Sequence, residues 1–142
     1  MNFKLALEKL RDQVQIEAIS KIWETPPVGT SGPNFLNAVA KIRTSLEINL
    51  LRNHVLRPIE SQLGRVRTSD PNSPRPIDLD ILIFDKRVID NEIWSQAHIA
   101  VPLAEFVPDL YNPETGETLL EIAEHLERIN PIKIWTELPS KS

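Results

Sequence analysis

Two acidic residues, Asp78 and Asp80, occupy alternate positions in the apolar run of residues 77–84. Such alternation is typical of a β-strand, in which side chains two residues apart point to the same face. Their Cβ atoms are then expected about 7 Å apart, so both carboxylates could bind one magnesium ion or a pair of ions. The alternative is a solvent-facing acidic pair on an edge strand. Leu82 and Phe84 continue the predicted acidic face, which favours a site over an ordinary wet surface.

Arginines are concentrated just before this acidic pair. The window of residues 57–75 contains only two acids, Glu60 and Asp70, and four arginines, namely Arg57, Arg65, Arg67 and Arg75. A guanidinium group binds phosphate oxygens in a bidentate manner and keeps its charge. A single arginine on a polar loop is more often only solvated. Three of these arginines, Arg65, Arg67 and Arg75, lie around a loop that ends at an acidic pair, and this arrangement predicts a site for a small phosphorylated ligand. The sequence contains neither a Walker loop nor a GxGxxG motif, which argues against P-loop and Rossmann sites.

The composition limits the class of protein. With 142 residues, 41% of them hydrophobic, the chain is expected to form one domain over residues 1–142. The absence of cysteine excludes thiolate chemistry and leaves carboxylates and histidines as metal ligands. A formal net charge of -4 argues against nucleic acid as a partner. The sequence has no apolar run as long as a membrane span and no signal-peptide pattern, so we expect a cytoplasmic protein without a membrane partner.

Hydrophobic periodicity predicts the elements that must position these residues. In chain order they are an amphipathic helix carrying Phe3, Leu7, Leu10 and Val14, a strand over 14–24, a proline-rich loop over 25–33, a strand over 35–43, a helix capped by residues 44–47 that is kinked or split at Pro58 and ends at Gly64, a polar loop over 64–76, a strand over 77–84, a short strand or hairpin over 87–89, a mixed segment over 94–108, a capped helix over 118–128 and a strand over 132–135. This order predicts an α+β sandwich of helices on a mostly antiparallel sheet. One further strand before the first helix would make it ferredoxin-like.

Several motifs closely resemble those of the 6-hydroxymethyl-7,8-dihydropterin pyrophosphokinase family. Residues 64–67 read Gly-Arg-Val-Arg, and residues 73–82 read Ser-Pro-Arg-Pro-Ile-Asp-Leu-Asp-Ile-Leu. The similarity extends to Thr-Pro-Pro-Val-Gly at 25–29, Phe-Leu-Asn at 35–37 and Val-Pro-Leu-Ala-Glu at 101–105, and so covers most of the chain. The resemblance implies a ferredoxin-like fold and an ATP-dependent transfer of diphosphate to the hydroxymethyl group of the pterin. AMP is then the second product, and the reaction belongs to folate biosynthesis.

The resemblance also implies roles for the charged residues. Asp78 and Asp80 would hold two magnesium ions that bridge the triphosphate of ATP. Arg65 and Arg75 match catalytic arginines that close over the triphosphate. Other residues match ATP-binding positions, namely Glu60, Arg67 and Ile81.

A second set of positions matches the pterin site of the family, namely Thr25, Pro26, Val28, Phe35, Asn37 and His98. By this resemblance the main chain near Thr25 hydrogen-bonds the pterin, Asn37 reads its edge with the side-chain amide, and Phe35 stacks on its ring. His98 stands where the family has a second stacking aromatic residue. The residue pattern alone predicts a core position for Phe35 and a satisfied buried amide for Asn37.

The sequence departs from the family pattern at several places. The family begins with a strand and a Gly-Ser-Asn turn, and this sequence is expected to start after them, either as a truncated reading of a longer gene or as a short form. Asn72 stands where many members have tryptophan, and Gln96 stands at an arginine position. The full-length form is expected to be a monomer, whereas a form without the first strand could associate through exposed sheet edges.

Two other functions therefore remain open. The chain could be a non-catalytic remnant that binds nucleotide, pterin or another chain. It could also be a magnesium-dependent nucleotidyltransferase that uses the same aspartate pair. A nucleotidyltransferase would release pyrophosphate, whereas a diphosphokinase releases AMP.

Overall fold

The computed structural model describes residues 3–25, 35–64 and 77–135. The helices are α1 (Phe3–Arg11), α2 (Ile48–Leu50), α3 (Arg57–Gly64), α4 (Ala97–Ala104) and α5 (Leu119–Ile129), with a π-helical segment Leu51–Leu56 between α2 and α3 and a 3-10 turn Asn91–Trp94 before α4. The strands are β1 (Gln15–Ile19), β2 (Trp23–Thr25), β3 (Phe35–Asn37), β4 (Ala40–Arg43), β5 (Ile83–Phe84), β6 (Arg87–Val88) and β7 (Lys133–Ile134). This mixture of helices and small antiparallel sheets confirms the α+β class. No helix among these residues is long and apolar enough to cross a bilayer.

The chain divides into two compact units. The first unit consists of residues 1–17 and 42–89, and the second of residues 18–41 and 90–142. The expectation of a single domain over residues 1–142 stays a prediction, and the units are described one at a time.

The core of the first unit lies between α1 and the long helical stretch from α2 to α3. Buried side chains recur at helical spacing on both, because one apolar stripe of each helix turns away from water. They are Ala6, Leu10, Val14, Leu51, Val55, Leu56, Ile59 and Leu63. Half-buried residues of the following segment, Ile77, Leu79, Ile81 and Phe84, pack against this cluster.

The long helical stretch differs in detail from its prediction. Its N-cap is Glu47, whose carboxylate accepts a hydrogen bond from the Leu50 N–H, whereas the Thr44 hydroxyl accepts one from the Leu46 N–H in the preceding turn. The helix continues through Pro58 without a split in its last turn. A proline ring crowds the carbonyl four residues earlier, and the wider π-helical turn directly before it relieves that conflict.

The predicted strand over 77–84 is wrong for most of its length. Only Ile83–Phe84 forms a strand, which pairs antiparallel with Arg87–Val88, and residues 77–82 join no ladder with the described strands. The predicted alternation nevertheless holds from Ile77 to Ile81. The alternation fails at Phe84, which packs against the core although the pattern places it on the face of the aspartates.

The second unit contains a three-stranded antiparallel sheet in the order β3-β2-β7. The predicted continuous strands over 14–24 and 35–43 are each broken in two. At the break, the Ser20 N–H donates to the Val39 carbonyl and the Val39 N–H donates to the Ser20 hydroxyl, so a side chain replaces a ladder acceptor. β1 pairs with β4, and β2 pairs with β3.

Two helices cover the rest of the second unit. The predicted mixed segment over 94–108 contains α4, which packs on β2, β3 and α5. Its apolar residues from Ala100 to Ala104 are buried, including Pro102. The predicted capped helix is confirmed as α5, where Thr118 and Glu121 form a reciprocal capping box.

Candidate functional site

The acidic pair of the first unit lies on an irregular but well-anchored segment. Asp78 and Asp80 are exposed, whereas the three residues around and between them, Ile77, Leu79 and Ile81, are half-buried against the core. Alternate residues therefore face opposite ways although no strand forms. The two carboxylates lie on the outer side of one short stretch of chain, as the sequence predicts.

The peptide groups of Leu79 are held by side chains of α3. The Leu79 N–H donates to Oε2 of Glu60 at 2.5 Å, and Nη1 of Arg57 donates to the Leu79 carbonyl at 3.4 Å. Arg57 Nη1 also forms an ion pair with Glu60 Oε1 at 2.5 Å. Three residues further along, the Ile89 N–H donates to the Leu82 carbonyl at 2.8 Å. The acidic segment is thus fixed at Leu79 and at Leu82.

Arg57 provides positive charge close to the acidic pair. Its hydrogen bond to Glu60 raises the pKa of its guanidinium, and the negative charges of Asp80 and Asp78 raise that pKa further. The sequence identified Arg57 as part of the arginine cluster but assigned it no role. A basic residue three positions before a glutamate on a helix is the signal that could have indicated the pair.

The donors at this segment fit magnesium. Magnesium prefers carboxylate oxygens and commonly takes one or two carboxylates, with water and substrate phosphate filling its other positions. Asp78 and Asp80 supply two such carboxylates on the exposed side of an anchored segment. Within the described ranges no group of three or more His, Cys, Asp or Glu side chains gathers in a metal-binding cluster. Two carboxylates are the number that magnesium commonly takes from protein when substrate phosphate and water fill its other positions.

Several predicted site residues lie outside the described residues, namely Arg65, Arg67, Arg75, Pro26 and Val28. Asn72 is also outside them. Ile81, predicted near the nucleotide, is half-buried and packs against the core of the first unit. The remaining phosphate-side residues, Glu60, Asp78 and Asp80, fall within the first unit.

The described pterin-side residues belong to the second unit, where strands β2 and β3 bring three of them together. Thr25 lies opposite Phe35 and Trp23 lies opposite Asn37. Residues directly opposite in an antiparallel pair share a face of the sheet, and so do residues two apart on one strand. Thr25, Phe35 and Asn37 therefore share one face of the sheet.

The side chains on this face are accessible. Phe35 is 40% exposed, so the prediction of a core position from the residue pattern is wrong. Asn37 is half-buried rather than buried, and its amide nitrogen lies 3.5 Å from the Thr25 hydroxyl, a long distance for a hydrogen bond. An amide has two donors and one acceptor, so Asn37 retains capacity to bind a ligand.

Glu105, at the C-terminal end of α4, supports this sheet. Its Oε1 accepts from the Lys21 N–H at 3.0 Å and its Oε2 accepts from the Trp23 indole N–H at 2.9 Å. Trp23 is the first residue of the strand that ends at Thr25. Residue patterns alone gave Glu105 no role, although it closes the Val-Pro-Leu-Ala-Glu motif.

His98 lies on α4, the helix that packs against β2 and β3. It is half-buried, and burial lowers the pKa of its imidazole below the usual value, with a smaller opposing effect from Glu92. A neutral imidazole is the form that can stack on a flat heterocycle without the cost of desolvating a charge.

Comparison with known proteins shows extensive similarity to one family. The sequence model of the 7,8-dihydro-6-hydroxymethylpterin-pyrophosphokinase family matches residues 1–108. The chain is 34% identical to the 2-amino-4-hydroxy-6-hydroxymethyldihydropteridine pyrophosphokinase of Haemophilus influenzae, over 79% of this chain and 77% of that protein. The enzyme of the same name from Aquifex aeolicus is 33% identical, over 82% of this chain and 77% of that protein.

Longer relatives match as well. The folic acid synthesis protein fol1 of Schizosaccharomyces pombe is 35% identical over 90% of this chain, and the match spans 18% of the yeast protein. A folate synthesis bifunctional protein of Arabidopsis thaliana is 37% identical over 75% of this chain and 24% of the plant protein. The chain thus spans about a quarter or less of these longer relatives.

Proposed function

Since this chain belongs to the 7,8-dihydro-6-hydroxymethylpterin-pyrophosphokinase family, we propose that it transfers diphosphate from ATP to 6-hydroxymethyl-7,8-dihydropterin and releases AMP. Relatives that carry the name of this pyrophosphokinase support the proposal, as do those named for folate synthesis. The partners are then two small molecules, ATP as co-substrate and the pterin. We further propose that the full-length form is a monomer and that it works in the cytoplasm, whereas a form without the first strand could associate through exposed sheet edges.

The reaction forms one phosphorus–oxygen bond and breaks another. The hydroxymethyl oxygen of the pterin attacks the β-phosphorus of ATP, and the bond from that phosphorus to the α,β-bridging oxygen breaks. The bridging oxygen leaves with AMP, and the hydroxyl proton passes to solvent or to a nearby base. The pterin gains the β- and γ-phosphoryl groups as a diphosphate ester.

Asp78 and Asp80 would hold two magnesium ions at the triphosphate. Ions held there would supply positive charge that neutralises the phosphate oxygens and lowers the barrier to attack at phosphorus. The chain's own contribution is to keep both carboxylates on one side of an anchored segment. By family resemblance Arg65 and Arg75 add positive charge to the triphosphate, while Arg67, Glu60 and Ile81 complete the ATP site.

The pterin would lie against the face of the β2–β3 sheet that carries Thr25, Phe35 and Asn37. Phe35 offers an exposed ring for stacking, and the Asn37 amide can hydrogen-bond the donor–acceptor edge of the pterin. The main chain over residues 25–28, with Thr25, Pro26 and Val28, would supply further contacts. His98 would contribute a second flat group.

The main support for this proposal is the exposed Asp78–Asp80 pair on its anchored segment. The pair lies within residues 1–108, which the family model matches. We would incubate the protein with ATP, magnesium and the pterin and identify the products by phosphorus NMR and mass spectrometry. AMP and a pterin diphosphate in equal amounts are expected. ADP would indicate a simple kinase, and free pyrophosphate would indicate nucleotidyl transfer; either product alone would contradict the proposal.

A further inference from the structure

Leu79 has an unusual set of partners for a residue inside an apolar, strand-like segment. In a sheet, its N–H and C=O would bond to a neighbouring strand. Here Glu60 accepts the N–H bond at 2.5 Å, and Arg57 donates to the carbonyl at 3.4 Å. Two side chains of one helix therefore contact both backbone groups of the residue between the two aspartates, Glu60 through a short hydrogen bond and Arg57 through a long one.

Both oxygens of the Glu60 carboxylate are engaged in this arrangement. Oε1 pairs with Arg57, and Oε2 accepts from Leu79. The Glu60 side chain is 18% exposed, against 45% for Arg57, so the carboxylate lies mostly out of solvent. Glu60 is thus oriented toward the protein backbone and fixed there by a charged partner.

We propose that Glu60, held by Arg57, is a positioning residue for the metal site. It fixes the Leu79 peptide and thereby the separation and direction of the Asp78 and Asp80 carboxylates. This inference rests on the proposed function, because it assigns the aspartates to magnesium. It differs from the role that family resemblance gives Glu60, since it makes the carboxylate act through the backbone rather than on the nucleotide.

The physical reason is the lack of a ladder at the acidic segment. Residues 77–82 join no described strand, and a second backbone bond between described residues joins the Leu82 carbonyl to the Ile89 N–H. Without the Leu79 bonds, the backbone torsions on either side of Asp78 and Asp80 would lose the restraint that α3 places on the peptide between them. A displacement of about 1 Å at a catalytic site can lower the rate by about 100-fold. Two like charges that must converge on the same ions are especially sensitive to their spacing.

The main test compares Glu60→Met with Glu60→Gln. Methionine keeps the volume and helix propensity of the side chain and removes both acceptors, whereas glutamine keeps one acceptor oxygen for the Leu79 N–H. Glu60→Leu serves the same purpose if the methionine variant does not fold. A matched control is Glu17→Met, which breaks the ion pair of Glu17 with Arg43 at 2.8 Å in the same unit.

Two readouts distinguish positioning from a general loss of structure. The first is hydrogen exchange of the Leu79 amide, followed by NMR. We expect it to be at least about tenfold faster in Glu60→Met, with Glu60→Gln and Glu17→Met close to the unmodified protein. The second is a titration with magnesium alone, followed at the Asp78 and Asp80 amides. The magnesium concentration at the midpoint should rise several-fold in Glu60→Met. In Glu60→Gln it should be close to that of the unmodified protein.

Neither readout requires turnover, so the inference and the proposed function can fail separately. Unchanged Leu79 exchange in Glu60→Met would overturn the inference, as would faster exchange with an unchanged magnesium midpoint. A glutamine variant as impaired as the methionine variant would also overturn it. If both readouts behave as expected but the unmodified protein makes no AMP, the positioning role stands and the proposed reaction fails.

Discussion

Glu60 accepts a hydrogen bond from the backbone N–H of Leu79, a residue nineteen positions later in the chain. A helix side chain thus provides the contact that a neighbouring strand provides in a sheet. Because the Leu79 peptide is held in place, the positions of its two neighbours, Asp78 and Asp80, are restrained as well. The acidic site depends on α3 as well as on its own segment.

Replacing Asn37 by leucine should weaken pterin binding selectively. Leucine has a similar volume but cannot hydrogen-bond the edge of the pterin, and a buried polar group of the substrate left without a partner costs about 1–3 kcal/mol. The KM for the pterin should rise by about tenfold or more, with the KM for ATP little changed. Steady-state kinetics with each substrate varied in turn would measure this.

The control for Asn37 is Lys133→Ala on the same sheet. Lys133 pairs with Glu24, whose position alternates with those of Trp23 and Thr25, so the change lies on the opposite face. We expect the KM values of Lys133→Ala for the pterin and for ATP to equal those of the unmodified protein. An equal rise of both KM values in Asn37→Leu would argue for general damage and against a pterin contact.

The stability of the protein should fall on mild acidification because of His98. Burial lowers the pKa of the folded imidazole below the ordinary histidine value of about 6.5, so the unfolded chain binds the proton more readily. The stabilising contribution is therefore fully present above about pH 6.5 and is lost as the pH falls toward the folded pKa. Urea unfolding of the protein and of His98→Gln at pH 7.5 and pH 5.5 would test this. The variant should lose less stability between the two pH values, and equal losses would refute the assignment.

The turn between β5 and β6 should accept glycine with a gain in stability. Asp85 and Lys86 have φ values of 52° and 68°, in the left-handed region that side chains with a Cβ atom occupy at a cost of about 1–2 kcal/mol. Two such residues in a two-residue hairpin loop form a type I′ turn, for which glycine is preferred at the second position. Lys86→Gly should therefore raise the free energy of unfolding by about 1 kcal/mol. Lys86→Ala, which keeps the Cβ atom, should give no comparable gain in thermal or urea unfolding.

Replacing Glu105 by glutamine should destabilise the second unit through Trp23. Glutamine has one acceptor oxygen, whereas the glutamate uses Oε1 for the Lys21 N–H and Oε2 for the Trp23 indole. One donor then loses its partner, at a cost of about 1 kcal/mol for a partly exposed pair. A double-mutant cycle with Trp23→Phe would isolate the indole bond. A cost for Glu105→Gln that is the same in both backgrounds would show that this bond contributes nothing.

Periodicity and spacing predict the helices α1 and α5, the β5–β6 hairpin and the outward direction of Asp78 and Asp80. These features depend on local patterns, such as the alternation from Ile77 to Ile81 and the capping box at Thr118. Prediction of strands from the sequence fails where a distant side chain replaces the backbone group of a neighbouring strand. The Ser20 hydroxyl divides two predicted strands, and Glu60 takes the place of a strand beside Leu79. These hydrogen bonds to side chains depend on tertiary contacts, which the local periodicity of the sequence does not indicate.

Part of the candidate site can likewise be predicted from the sequence, and part cannot. Residue types, their order and the family resemblance identify the aspartate pair and the motif at residues 35–37. The apolar character of Phe35 predicts a core position, yet its side chain is 40% exposed on the edge strand of the β3-β2-β7 sheet. The sequence does not reveal the supporting roles of Arg57 and Glu105, since each contacts groups that are distant in the sequence or belong to the backbone.

The central claim is most directly tested by AMP formation in Asp78→Ala and Asp80→Ala beside the unmodified protein, with ATP, magnesium and 6-hydroxymethyl-7,8-dihydropterin. The exposed position of both carboxylates means that the variants should remain folded, which circular dichroism would verify. We predict pterin-dependent AMP formation in the unmodified protein and turnover lower by on the order of 100-fold or more in each variant. Unchanged turnover in a folded variant, or no pterin-dependent AMP from the unmodified protein, would contradict the account.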